Sequence, residues 1–426
     1  MTALLAPETP SRAASVQKLI TKGGIEAWLV EDYAVPLIAL EFAFDGGAAQ
    51  DPIGKPGVAS LLVGLLDEGA GPYDSEGFHQ ALDEAAIELS FLAHRDILTG
   101  SLQTLSRNAG RAFELLRLAV NEARLDDEPF ERVVSQIAAG LKREANDPDY
   151  VAGRHFRALA YPDHPYGLAV RGGLDTLPAI TRTNLIDLRA ASFARNSLKI
   201  AAVGAIDAAT LAAHVDDVFG ALPEKSAVAP VAPAAFAGAG TRHVFPIDLP
   251  QSTIRFGREG IGRKDPDFIA AIVVNHILGG GVFSARLFRE VREKRGLAYS
   301  VYSQLINHDH AAMFSGGTST KNERAAESIS VIEKEITNLA TEGPTEEELD
   351  KAKKYLIGSY ALRFDTSTKI ANQLLHLQTD GFAVEFLDDR NKLIAAVSLE
   401  DAKRAGRRLF GDGKLLVTVA GQPEGM

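Results

Sequence analysis

The chain of 426 residues contains no cysteine. That excludes disulfides, thiolate metal sites and cysteine nucleophiles together. It leaves the compartment open, since cytosolic and periplasmic proteins both do without cysteine. Positive charge is in deficit: 45 Lys and Arg stand against 56 Asp and Glu, a net charge of −11. Nucleic acid and anionic membranes repel such a chain, so neither is an expected partner. No run approaches the roughly 20 apolar residues of a membrane-spanning helix. The first residues, MTALLAPETPSRAASV, lack a basic region followed by a long apolar core, so no uncleaved signal peptide is expected.

Several common active-site signatures are also missing. There is no G-x-S-x-G elbow, no P-loop and no G-x-G-x-x-G after a strand. The only close histidine pair is His308-Asp309-His310. On a strand that spacing puts both rings on one face, where they can hold a metal. In the context INHDHAAMF a solvated turn is the preferred reading. His94 and His164 are isolated, and a structural role is expected for both.

What is present is an order of parts that occurs twice. DEPFERVVSQIAAGLKREANDP, from Asp127 to Pro148, is an acidic-started helix; GPTEEELDKAKKYLIGSYALRFDTS, from Gly343 to Ser367, has the same acidic start and a similar length. Each half closes with a helix and an apolar strand ending in glycine, Gly204 and Gly421. Lys225 to Gly240 is rich in Ala, Pro and Gly without periodicity and reads as an extended linker. The expected domains are therefore 1–224 and 243–426, joined by a linker at 225–242. Neither half shows steady strand–helix alternation. The predicted fold class is α+β, two homologous domains, each a mainly antiparallel sheet covered by helices.

The densest segment runs from Asn275 to Tyr302, NHILGGGVFSARLFREVREKRGLAYSVY. Gly279, Gly280 and Gly281 close an apolar stretch and predict a helix stop with a tight turn. Ser284 is placed to cap a helix on which Leu287, Phe288 and Val291 recur at helical spacing. Gly296 stops that helix, and Leu297 to Tyr302 reads as a strand. By composition alone Arg292 is one charge on a solvated face. Tyr299, alternating with Leu297 and Val301, is by pattern a core tyrosine.

The combined run R-L-F-x-x-V-R-E-x-x-G-L-A-Y closely resembles the C-terminal-half signature of the inverzincin zinc peptidases, the family of pitrilysin and the mitochondrial processing peptidase. The resemblance covers nearly the whole chain and implies two homologous domains of the processing-peptidase-like metallohydrolase fold. It also implies that Arg292 and Tyr299 reach into an active site. There an arginine fork holds a substrate carbonyl or carboxylate, and a tyrosine hydroxyl meets the developing oxyanion.

The zinc half of that signature is absent. Where the family has H-x-x-E-H on a helix, this chain has Ser60-Leu61-Leu62-Val63-Gly64 between well-matched flanks. Ser60 and Gly64 replace the histidines and Val63 the general base. The third ligand falls near Ala138, and the neighbouring registers Gln136 and Gly140 offer no carboxylate either. No metal ligand is therefore expected in the chain.

The reading that follows is a non-catalytic subunit of a heterodimeric zinc metallopeptidase, inactive alone. Zinc is expected in a homologous H-x-x-E-H partner, and peptides or unfolded segments are the expected substrates. A structural scaffold or a stand-alone peptide binder is the alternative. The resemblance to exported bacterial split enzymes points to the periplasm, with the cytoplasm as the other choice.

Overall fold

The structure, a computed structural model, describes residues 16–426. The stretch on which the signal-peptide reading rests lies almost wholly outside them. The first sheet contains β1 (Gln17–Ile20), β2 (Glu26–Glu31), β3 (Leu37–Asp45), β4 (Glu88–Ala93), β5 (Ile97–Leu105) and β6 (Lys199–Gly204). Its order is β1-β2-β6-β3-β5-β4. The second contains β7 (Arg242–Phe245), β8 (Gln251–Glu259), β9 (Ala298–Asn307), β10 (Ala312–Lys321) and β11 (Leu416–Ala420), in the order β7-β11-β8-β10-β9. Apart from β1 the two topologies are identical. In each sheet one parallel pair, β2 with β6 and β7 with β11, joins otherwise antiparallel neighbours.

Local chemistry repeats with the topology. Phe42 on β3 faces Gly100 on β5, and Phe256 on β8 faces Gly316 on β10. In both pairs a ring lies where a Cβ on the glycine would have been, 2.1 Å and 2.3 Å from the ring Cζ. Gly204 and Gly421 have φ of 141° and 148°, a region open to glycine and strained for other residues. These coincidences give physical substance to the duplication read from the sequence.

β3 is buried along nearly its whole length, so both of its faces need cover. On one face Phe44 stacks on Phe193 at 4.4 Å and Phe42 meets Phe219 edge-on at 5.2 Å. On the other, Ala39, Ala43, Ala201 and Val203 pack against Ile370, Ala371, Leu374 and Leu375. Those four belong to the helix Ser367–Thr379, far along the second half of the chain. Gln378 on that helix donates to the Ile200 carbonyl at 2.9 Å.

The second sheet is treated reciprocally. The helix Pro148–Ala160, from the first half, lies on β8 and β11. Phe156 fills the space left by Gly257, and the Thr418 hydroxyl donates to the Ala152 carbonyl at 2.9 Å. The compact units are accordingly residues up to Ala138, Val170–Pro230 and Ser359–Asp389 in one, and Ala139–Ala169, Val231–Gly358 and Arg390–Met426 in the other. They differ from the contiguous halves by the exchanged segments, because each sheet buries a face under a helix from the other half. The linker is extended in both units. Ala229 pairs with Gln50 in the first, and Ala234 and Ala237 donate to the carbonyls of His310 and Ala160 in the second.

Leu374→Ala should therefore loosen the first sheet although it lies in the second half. A buried Leu→Ala change costs about 2–5 kcal/mol, read by urea denaturation. Native-state hydrogen exchange should show β3 and β6 losing protection before β8 and β11. Equal loss in both sheets would contradict the exchange.

Candidate functional site

The degenerate motif sits on a short helix, Val58–Val63. Its start is set by Asp51, whose carboxylate accepts from the amides of Gly57 at 2.7 Å and Ala59 at 2.8 Å. Burial pushes the Asp51 carboxyl up to about 7 against those hydrogen bonds. Val63 is buried and Gly64 ends the helix. A Cβ on Gly64 would lie 3.3 Å from Val133 Cγ1, so an apolar side chain stands where the second histidine would project. Val133 belongs to the helix Asp127–Glu144, and helical spacing puts Gln136, Ile137 and Gly140 on its face. Ala138, the expected third position, is one step round from that face. None of these supplies a donor that zinc accepts.

A carboxylate that follows the motif helix, Glu68, is already engaged. Arg132 donates to both oxygens of Glu68, at 3.1 Å and 2.8 Å, and holds that carboxyl at about 2. Among the described residues no group of three or more His, Asp or Glu side chains is arranged to hold a metal ion. The His308–His310 turn packs around an aromatic ring instead. Tyr166 donates no metal ligand; its hydroxyl accepts from the His310 amide at 3.1 Å, and its ring lies 4.9 Å from that of His308. His164 uses Nδ1 to accept from the Tyr166 amide and Nε2 to reach the Ala232 carbonyl.

The second motif is built differently from its sequence pattern. The helix Phe268–Asn275 runs into a π-helical turn, His276–Gly280, and a second π turn spans Phe288–Glu293. Gly279, Gly280 and Gly281 do not take left-handed φ. Gly279 instead lets this helix approach β9, since a Cβ there would be 2.7 Å from the Ser303 amide nitrogen. Ser284 does not cap the next helix; its hydroxyl donates back to the Gly281 carbonyl at 3.1 Å. Leu287, Phe288 and Val291 are buried as their spacing predicts. Gly296, at φ 58°, ends the helix, and its amide and that of Leu297 donate to Arg292 and Val291.

Tyr299 departs from the alternation. Leu297 and Val301 are each 4% exposed, yet Tyr299 is 82% exposed. Val301 pairs with Thr318 and Ala298 with Thr320, so Tyr299 and Ser300 together oppose the single residue Ser319. This is a β-bulge, and the extra residue turns the tyrosine out of the core. The buried hydroxyls of Thr318 and Thr320 brace it, donating to the Ser300 carbonyl at 2.7 Å and the Leu297 carbonyl at 2.6 Å.

Arg292 meets the exposed ring. Its guanidinium carbon lies 4.5 Å from the Tyr299 centroid and 4.8 Å from that of Phe288. Every other cation of the segment has a carboxylate. Arg286 is paired with Glu348, Arg289 with Glu290 and Glu348, and Lys294 and Arg295 with Glu290. Among the described residues Arg292 has no carboxylate partner. Its fork remains able to take an acceptor from outside the chain, beside a phenol hydroxyl that can donate.

The repeated α+β sheet pair is the fold of solved peptidase-family structures. Residues 179–356 match the family model described as the peptidase M16 inactive domain. Over that stretch, under half of its length, the chain is similar to these inactive domains. The crystal structure of a peptidase M16 inactive domain from Pseudomonas fluorescens superposes with a TM-score of 0.90 at 28% identity, over 96% of this chain and 98% of that one. A non-peptidase homolog of Helicobacter pylori, YmxG, is 26% identical over 87% of this chain and 86% of its own length. An uncharacterized zinc protease of Mycobacterium leprae is 27% identical over 87% and 83%.

The segment that presents Arg292 should loosen in acid. Burial raises the Glu290 carboxyl, but hydrogen bonds from Lys294 and Arg295 outweigh it and hold the group at about 2. The unfolded value is about 4.3. Its contribution is therefore fully present above that pH and is lost as pH falls towards about 2. Glu290→Gln should lower the thermal midpoint at neutral pH and flatten its dependence between about pH 4.3 and 2. Parallel pH profiles for wild type and variant would contradict this assignment.

Proposed function

We propose that the chain is the non-catalytic subunit of a heterodimeric zinc metalloendopeptidase, completing with Arg292 and Tyr299 the active site of an H-x-x-E-H partner. The observation that carries this reading is the bulge that exposes Tyr299 beside an arginine without a carboxylate partner. A scaffold has no use for either feature. Tyr299 donates to the oxygen that gains charge as the peptide carbonyl is attacked, and Arg292 holds a carbonyl or carboxylate of the substrate. The partner supplies zinc and the general base, for which Ser60, Val63 and Gly64 of this chain offer no equivalent. Peptide substrates pair along the open edge of β9, the outermost strand of its sheet. The periplasm is the proposed compartment, by the same resemblance to exported split enzymes.

Tyr299→Phe keeps the ring and removes one hydroxyl. The assembled enzyme should lose on the order of a hundredfold in kcat, the usual scale for one oxyanion donor. Arg292→Ala should also raise KM. Metal analysis of both mixtures should find zinc in the partner and one heterodimer by size. Unchanged kinetics in an intact Tyr299→Phe heterodimer would return the tyrosine to a structural role.

A further inference from the structure

The face of the second sheet under the exchanged helix holds more positive charge than the chain neutralises. Along Pro148–Ala160, Asp149, Gly153 and Arg157 form one stripe at helical spacing. Arg255, on β8, donates to Asp149 at 2.5 Å, and its guanidinium lies 5.6 Å from the centroid of Tyr302 on β9. Its Nε is buried with no hydrogen-bond acceptor. Among the described residues the Arg157 guanidinium has neither ion pair nor hydrogen bond. Its pKa is lowered, chiefly by burial and further by repulsion from Arg255.

Of the two guanidinium groups only that of Arg255 has a carboxylate, and that carboxylate is itself 59% exposed. A half-buried arginine without a counter-ion is unfavourable, and so is a buried N–H without an acceptor. Glycines make the room. A Cβ on Gly317 would lie 2.8 Å from Arg255 Nη1, and one on Gly153 would lie 3.4 Å from Arg157 Nη1. The space between Asp149 and Arg157 on the helix therefore carries no side chain.

We propose that Arg157 and Arg255, beside Tyr302, form a binding site for a carboxylate of an extended peptide. The proposal deepens the function given above and rests on it for the nature of the ligand. A carboxylate here supplies the missing charge and accepts from both forks. Tyr302 follows Tyr299 by three positions on β9, roughly 10 Å along a strand. A peptide extended along β9 with its scissile carbonyl at Tyr299 brings a group about three residues away to the arginines. That group is an acidic side chain or the peptide's own C-terminus.

The test uses the full chain alone, so it does not depend on peptidase activity. Fluorescein-labelled octapeptides of Ala, Val and Thr carry one central Glu or Gln, each as free acid and as amide. Binding is read by fluorescence anisotropy at low salt. The Glu amide should bind on the order of tenfold tighter than the Gln amide, the scale of one charge-assisted hydrogen-bonded pair. A preference for free acids over amides, whichever residue is central, assigns the site to the C-terminus instead. Either preference should fall towards unity in Arg157→Met and in Arg255→Lys, which keeps the charge and removes the fork. Equal or absent binding of all four peptides would overturn the proposal, as would an undiminished preference in both variants with unchanged thermal midpoints.

Discussion

Neither half of this chain covers both faces of its own sheet. The apolar face formed by Ala39, Ala43, Ala201 and Val203 is closed by a helix that follows it by more than a hundred residues, and the second sheet is closed by a helix that precedes it. Each apolar side chain buried this way contributes about 1.5–3 kcal/mol, so a sheet without its borrowed helix loses much of its margin. The same exchange carries chemistry. Helix Pro148–Ala160 brings Asp149 and Arg157 to the sheet that holds Arg255 and β9, so the charged face exists only because the helix was donated.

Within that sheet the bulge at Tyr299 and Ser300 decides what the surface offers. An inserted residue costs a regular ladder pairing, and the hydroxyls of Thr318 and Thr320 offset this by satisfying the carbonyls on either side. With the bulge the phenol stands in solvent beside Arg292. Without it the ring would follow Leu297 and Val301 into the core. Beside the first sheet the helix Val58–Val63 has its Asp51 anchor, and Val63 and the neighbouring Val133 make its end apolar.

Much of this was legible in the sequence. The repeated order of parts and the glycines closing each half follow from residues and their spacing, whereas the pairing of Arg292 with Tyr299 was implied only by the family resemblance. Three things did not follow. Period-two alternation places Tyr299 inside, because it assumes one residue per partner residue and a bulge breaks that count. Ser284 has the chemistry of a helix cap but bonds back to Gly281, and the π turns around it shift the register that a regular helix would keep. The exchanged helices are amphipathic, and no pattern states which sheet will receive them. Arg157 and Arg255 are nearly a hundred residues apart and carry no motif; only the exchange brings them together.

The central claim is that this chain is half of an active site. It is tested most directly by titrating a fixed amount of a zinc-bearing H-x-x-E-H homologue with this chain while following cleavage of a fluorogenic peptide. The account predicts that neither protein cleaves alone and that activity rises to a plateau at one chain per homologue. A homologue fully active by itself and indifferent to the added chain would contradict it, as would a lone chain that binds zinc and cleaves.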